Sequence, residues 1–260
     1  MNLVNPYRFF VFTDPTDISG LDLWLDASDS STLFDATSGG STPSDDGDVR
    51  RWEDKSGNNY HCTQATPNFC PHRRVAEVNS LDAIDFEGDG GADTVSHWLV
   101  GSDVFTQTSA KSVFIVTQAD TTTLSEGGIL FNLYDNGVTG AEGNISTEVG
   151  YRVGGRTWLG DGACSTTVAS LVTLTQSGSG DLHTVISMWV DGTAVSESGG
   201  TDGAVVDNAG IYLVGTSNNN ASTTSLNGRL CEIIVYNSEL SGGKREAVET
   251  YLADKWGITI

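Results

Sequence analysis

LDLWLDA, residues 21–27, alternates with period two: Leu21, Leu23 and Leu25 fall on one face of an extended chain, and Asp22, Trp24 and Asp26 on the other. A helix would scatter the three leucines around its circumference, so the stretch reads as a strand with one face in a core. The same signature recurs at 49–52, 83–86, 98–100, 112–117, 129–134, 149–153, 168–175, 184–190, 210–214 and 229–236. Turn signals separate these runs: SGG at 38–40, DDG at 45–47, SGNN at 56–59, EGDGG at 87–91, DNG at 135–137, DG at 191–192 and SNNN at 217–220. Short strands joined by turns, with no helical period between them, predict an all-β antiparallel sandwich or jelly roll. One segment departs from this pattern. After Ser241, GGKREAVETYLADKWG sets Val248, Tyr251, Leu252 and Trp256 on one helical stripe and stops at Gly257, which predicts a short amphipathic C-terminal helix lying on the sandwich.

A chain of 260 residues suits one large all-β core, and no linker or internal repeat marks a second domain within 20–260. Residues 1–19 read as separable, an arm or extra edge strand in which Tyr7, Phe9, Phe10 and Phe12 are the docking candidates. The apolar run from Phe9 to Phe12 is too short for a signal-peptide core, and no later run reaches spanning length, so the expectation is synthesis in a cytoplasm without a membrane span. Thirty-four acidic residues against 13 basic ones give a net charge of −21, spread along the chain. A nucleic-acid partner is excluded on that balance, since affinity through counterion release needs a basic face.

Four motifs then stand in order: LDLWLDASDSSTL (21–33), VRRWEDKSGNNYHCTQ (49–64), NSLDAIDFEGDG (79–90) and NGRLCEIIVYNSELSGGKREAVETYLADKWGI (227–258). Together they resemble the concanavalin A-like lectin/glucanase superfamily, in the LamG-like jelly-roll form found in phage virion proteins and bacterial surface proteins. The resemblance implies a fold more than an activity, because that fold hosts sugar binders, hydrolases, adhesion modules and structural parts.

The motif residues themselves read first as architecture. Trp24 and Trp52 suit a sheet face or edge. Asp54 through Asn58 suits a turn bonded by side chains, with a calcium loop as the alternative that the resemblance brings in; calcium is the one cofactor left open. A glucanase of this superfamily would use a Glu-x-Asp-x-x-Glu strand, with retaining carboxyls about 5–5.5 Å apart. Glu87-Gly-Asp89-Gly-Gly-Ala92 lacks the third carboxylate and sits among glycines, so the chain reads as non-enzymatic. His61, His72, His97 and His183 show no partner pattern.

YRVGGRTWLGDG, 151–162, is the best carbohydrate candidate. Tyr151, Arg156, Trp158 and Asp161 on a hairpin would offer aromatic faces beside polar planar groups; the bland alternative is a hairpin whose Trp covers a sheet edge. HCTQATPNFCPHRR, 61–74, reads as a surface connection, its cysteines unpaired, with a zinc site or a Cys62–Cys70 disulfide as alternatives and Arg73 and Arg74 as a positive patch for an acidic neighbour. Cys231 reads as an inert buried thiol.

The reading that gathers these features is a virion structural protein of a tailed phage, a capsid decoration or fibre component. It would dock through its arm on the capsid shell or other virion proteins, oligomerise on the particle, and expose a lectin-like jelly roll to host glycans. The alternative is a bacterial extracellular carbohydrate-binding or adhesion module; a glycoside hydrolase is the third.

Overall fold

The computed structural model describes residues 12–86, 96–102, 105–120, 130–132, 149–153, 156–161, 164–201, 203–204, 211–216 and 226–260, with only the backbone described for most of 149–159. In chain order its strands are β1 (Leu21–Asp26), β2 (Leu33–Phe34), β3 (Arg51–Trp52), β4 (Cys62–Thr63), β5 (His72–Val78), β6 (Leu81–Phe86), β7 (Leu99–Gly101), β8 (Lys111–Ala119) and β9 (Phe131–Asn132). They continue with β10 (Val149–Val153), β11 (Arg156–Gly160), β12 (Ser170–Gln176), β13 (Ile186–Val190), β14 (Thr193–Ala194), β15 (Glu197–Thr201), β16 (Tyr212–Val214) and β17 (Gly228–Tyr236). A one-turn helix α1 (Leu182–Val185) precedes β13, and α2 (Gly242–Trp256) follows β17.

All pairings among the described residues are antiparallel. One large sheet runs β14-β13-β12-β8-β17-β6-β5, with β1 also on β17; a second runs β2-β3-β4-β7-β16-β9; a small third runs β10-β11-β15. The two larger sheets enclose the main core, and alternation on each strand decides what enters it. Leu23 and Leu25 of β1, Val113 and Ile115 of β8, and Val172 and Leu174 of β12 face inward onto Leu33, Trp52, Leu99, Phe131, Tyr212 and Val214 of the second sheet. Each such side chain contributes about 1.5–3 kcal/mol by burial, so these positions and not the turns select the architecture. Gly101 of β7 lies opposite Tyr212, whose ring rests on it so closely that a Cβ there would stand 1.9 Å from Cε1.

The outer face of the large sheet is also buried. Trp24, Phe114, Val116, Leu171, Ile234 and Tyr236 alternate with the inward residues and pack under Val248, Leu252 and Trp256 of α2, the stripe expected from sequence. β17 carries a register shift between Leu230 and Glu232, which turns both Cys231 and Glu232 toward the helix side while Leu230 and Ile233 stay in the main core. Gly257 ends α2 at φ 72, and a Cβ there would meet the Asn79 amide, which donates to the Lys255 carbonyl and closes the helix end. Residues 184–190, expected as strand throughout, begin instead in α1. Asp181 caps that turn by accepting from the His183 amide at 3.0 Å.

Candidate functional site

The residues of the WEDKSGNN motif serve the free edge of β1. The Asp54 carboxylate accepts from the Trp24 and Ser56 amides on one oxygen and from the Ser56 hydroxyl and Tyr60 amide on the other. The Lys55 amide donates to the Trp24 carbonyl, the Ser56 hydroxyl to that of Asp22, and the Asn58 amide group to those of Leu21 and Asp22. The loop thus satisfies β1 as a neighbouring strand would, and closes an edge that would otherwise offer a template for pairing. Asp54 is buried and each of its oxygens already accepts two protein donors. This is the side-chain-bonded turn, and no cluster of three or more His, Cys, Asp or Glu suited to a metal occurs among the described residues.

Beneath α2 lies a buried charge network. Glu232, fully buried, accepts from the indoles of Trp24 (2.7 Å) and Trp256 (2.8 Å) and from Lys255 (2.7 Å). Lys255 also donates to Asp26, which takes Lys55 and the Ser28 hydroxyl as further donors. Burial pushes the Glu232 carboxyl above the usual range, Asp26 adding to the push. Burial acts the same way on Asp26, but Lys255 and Lys55 outweigh it and hold that carboxyl below its ordinary value. Every polar atom named here is used by the fold, so the network fastens the helix and presents nothing to a ligand.

Residues 61–74 are a correction to the sequence reading. They are not a surface connection: Cys62 lies in β4 and both Cys62 and Cys70 are buried. All four cysteines are free, and burial raises the thiols of Cys62 and Cys164 to about 12 and of Cys70 to about 11, which makes them poor nucleophiles and poor metal ligands. Cys231 is fully buried and its thiol is likewise raised by burial, as expected. Arg73 and Arg74 stand in β5, where Arg73 pairs with Asp82, and Arg74 with Asp85 and Asp46, so no positive patch remains. Of the histidines, His61 accepts the Asp54 amide on Nδ1, and the His72 and His97 rings meet edge to face.

The small sheet brings together most of the residues chosen for carbohydrate. β10 and β11 form the expected hairpin, and its register sets Tyr151 directly opposite Trp158, with Arg156 opposite Val153 two positions along the same face. Asp161 follows β11, is exposed, and donates its amide to the Ser196 carbonyl at 3.0 Å. Sequence reasoning missed the third strand. β15 reads ESGGT, without alternation, yet it pairs with β11 so that Gly200 lies opposite Trp158. Gly200 holds φ 144, a conformation that favours glycine, so the position beside Trp158 stays without a side chain. The face therefore aligns Tyr151, Trp158 and a gap in one row across three strands. α1 fixes this sheet to the sandwich: it touches β11, His183 Nδ1 pairs with Glu197 of β15, and the Leu182 amide donates to the Gly203 carbonyl.

Of the arm, Tyr7, Phe9 and Phe10 lie outside the described residues, as do Glu87 and Asp89. Phe12 is half-buried and packs edge-on against Tyr251 of α2, ring centroids 5.8 Å apart. Among the described residues no helix is long and apolar enough to cross a membrane.

No family model matches the chain, and no curated protein matches it. Solved structures do. Domain 4 of AbnA, a GH43 extracellular arabinanase from Geobacillus stearothermophilus in complex with arabinotriose, is similar at TM-score 0.56 and 10% identity, over 89% of this chain and 97% of that one. Trypanosoma rangeli sialidase in complex with sialic acid is similar at TM-score 0.52 and 15% identity, over 95% of this chain and 36% of the sialidase. A botulinum neurotoxin type C structure, described as entering cells through two ganglioside molecules, is similar at TM-score 0.51 and 9% identity, over 90% of this chain and 51% of that one. The chain thus spans about a third of the sialidase and about half of the neurotoxin chain. At these identities the likeness is one of fold: an antiparallel β-sandwich of lectin-like form.

Proposed function

We propose that the chain is a non-enzymatic glycan-binding β-sandwich module of the concanavalin A-like, LamG-like kind. The observation that carries this is the row formed by Tyr151, Trp158 and Gly200. Sugars are recognised by aromatic faces set beside planar polar groups on a rigid frame, and here two aromatic positions are opposed across a hairpin with Arg156 on the same face. Gly200 adds room for a ring to approach Trp158. Supporting it, three similar folds carry a sugar in their descriptions: arabinotriose, sialic acid and gangliosides. Asp54 and Asn58 serve the β1 edge in this reading and no calcium is required of them. Binding to a polysaccharide panel should be abolished by Trp158→Ala and kept by Trp52→Phe; undiminished binding in Trp158→Ala, or release of reducing ends by the wild-type chain, would overturn the reading.

The setting we propose is a phage particle, with the module displayed and the residues before Phe12 as its dock; Pro15 and Ile18, expected as part of the arm, are buried in the domain, and the Pro15 carbonyl accepts from the Tyr236 hydroxyl. What supports it is the resemblance of the four sequence motifs to jelly-roll modules of phage virion proteins; Phe12 itself is taken up by Tyr251 of the chain's own α2. Deleting residues 1–11 should then abolish incorporation into particles without changing the unfolding midpoint.

A further inference from the structure

Under α2, away from the Trp158 row, three reactive groups meet at one nitrogen. Lys255 Nζ stands 2.8 Å from Asp26 Oδ1 and 2.7 Å from Glu232 Oε2. Asp26 ends β1 and Lys255 lies in the last turn of α2, 229 positions apart in the chain. An amine, a carboxyl carbon and a second carboxylate in mutual contact are the parts of an amide-forming centre: a nucleophile, an electrophile and a proton carrier.

The surroundings suit that chemistry. Glu232 is fully buried, Asp26 is 3% exposed, and the indoles of Trp24 and Trp256 both donate to Glu232. The Lys255 ammonium also lies 5.3 Å from the Trp256 ring centroid and 5.7 Å from that of Tyr251. Excluding water from such a site keeps the amine from being hydrated and the condensation from being reversed. Groups held together in this way react with effective molarities of about 10⁵–10⁸ M, which offsets the cost of expelling water into an aqueous medium. Asp26 is ionised, and a carboxylate resists attack, so the reaction is slow. Its charge is covered from both sides: Lys55 donates to Oδ2 at 2.8 Å and the Ser28 hydroxyl to Oδ1 at 2.6 Å. Charge that develops on Oδ2 in a tetrahedral adduct therefore falls beside the Lys55 ammonium. Lys55 also reaches Asp26, but its other carboxylate is Asp29, whose side chain is 36% exposed, so it has no buried proton carrier.

The step balances without a further reactant. Lys255 passes one ammonium proton to Glu232, whose carboxyl burial has raised above the usual range and so equips to hold it. The Nζ lone pair attacks Asp26 Cγ, and the new C–N bond forms as the Cγ–Oδ1 bond breaks. Nζ sheds a second proton, and Oδ1 leaves as water with both protons, relayed by Glu232. One ammonium and one carboxylate become a neutral amide, Glu232 ends as it began, and nothing is oxidised or reduced.

We infer that Lys255 and Asp26 condense into an intramolecular amide that ties α2 covalently to β1, with Glu232 as the catalytic residue. The ionic network is the state in which the chain folds, and its titration and unfolding energies belong to that state; the amide forms from it with time. Intact-mass spectrometry of the full chain, sampled after purification and through prolonged incubation at neutral pH, should reveal a product lighter than the sequence by one water. Trypsin should release fragment 9–50 joined to 246–260, uncut at Lys255. Lys255→Arg keeps a cation between the two carboxylates but cannot form this amide, and should hold the full sequence mass. Glu232→Gln keeps the side-chain shape and should slow the mass loss by at least about 10²-fold. Should Glu232→Gln fail to fold, Lys255→Arg and the branched wild-type fragment still decide the matter. The inference is overturned if the wild-type chain keeps its full mass throughout, if Lys255→Arg loses water as well, if folded Glu232→Gln converts at the wild-type rate, or if 9–50 is joined instead to 52–73 through Lys55.

Discussion

Tryptophans stand at contrasting positions in two sheets of the molecule. Under α2, the indoles of Trp24 and Trp256 both donate to Glu232, and the Trp24 ring also receives the Lys55 ammonium on its face, 4.2 Å from the centroid. Along β11, Trp158 lies in the middle strand of the small three-stranded sheet, opposite a tyrosine on one side and a glycine on the other. The first region shows a motif-rich sequence consumed by architecture: its aromatic, acidic and basic groups satisfy one another. The second shows fewer conspicuous residues arranged with a vacancy between strands. Conspicuous sequence and available surface are therefore different things in this fold, and binding is expected where the pairing is incomplete.

The sharpest way to break that contrast is to remove Glu232. Glu232→Ala leaves two indole N–H groups and the Lys255 ammonium facing a buried void, and should cost about 3–5 kcal/mol in urea unfolding. Hydrogen exchange should show α2 opening first. If the loss stays below about 1 kcal/mol, the region under α2 is not held by this network. Asp54→Ala comes next. It orphans the buried Trp24 amide at the β1 edge and should cost about 1–3 kcal/mol, with a rise in self-association as the edge is exposed. Trp158→Ala is expected to reverse the pattern, with stability changed by less than about 0.5 kcal/mol and glycan affinity lowered by about 2 kcal/mol, roughly thirtyfold. A large stability loss in that variant would place Trp158 with Trp24 as a packing residue.

The sandwich was legible because its deciding strands are long and periodic. Residues 21–26 alternate, 111–119 carry an unbroken apolar run, Val113 to Val116, that is buried on both faces, and α2 keeps its stripe for four turns. What escaped were elements whose cause lies elsewhere in the chain. β5, HRRVAEV, has no apolar face; Asp82 and Asp85 of the adjoining β6, together with Asp46, neutralise its arginines, and a sequence window over 72–78 cannot show that. β15 is a strand because β11 supplies its hydrogen bonds, not because ESGGT favours one. The bulge in β17 turns Glu232 outward by one residue, so period two alone assigns that carboxylate no partner. For the candidate site, Tyr151, Arg156 and Trp158 were readable as a hairpin, whereas the glycine that opens the row could be known only from the register.

The smallest expected effect is also the most selective, because Lys255 serves two carboxylates that titrate in opposite senses. Asp26 is held below its ordinary value by Lys255 and Lys55, so the stability it contributes is complete above the unfolded carboxylate range and is lost as pH falls through its folded value. Glu232 is raised by burial, so the folded state binds its proton more tightly than the unfolded state does. Its contribution is greatest in acid and declines as pH rises through the folded value. The two act in succession: as pH falls, the Glu232 gain is complete by its ordinary value of 4.5 and the Asp26 loss begins only below its own ordinary value of 3.8, so on their account the wild-type unfolding midpoint should rise down to about pH 4 and fall below it. Asp26→Asn removes the acid-labile half and should make the protein gain stability, relative to its own value at pH 7, as the pH is lowered. Glu232→Gln removes the opposing half and should leave a protein without the gain above about pH 4 that only loses stability below it. Parallel pH curves for the two variants would show that Lys255 does not couple them, and that α2 is fastened by its apolar stripe alone.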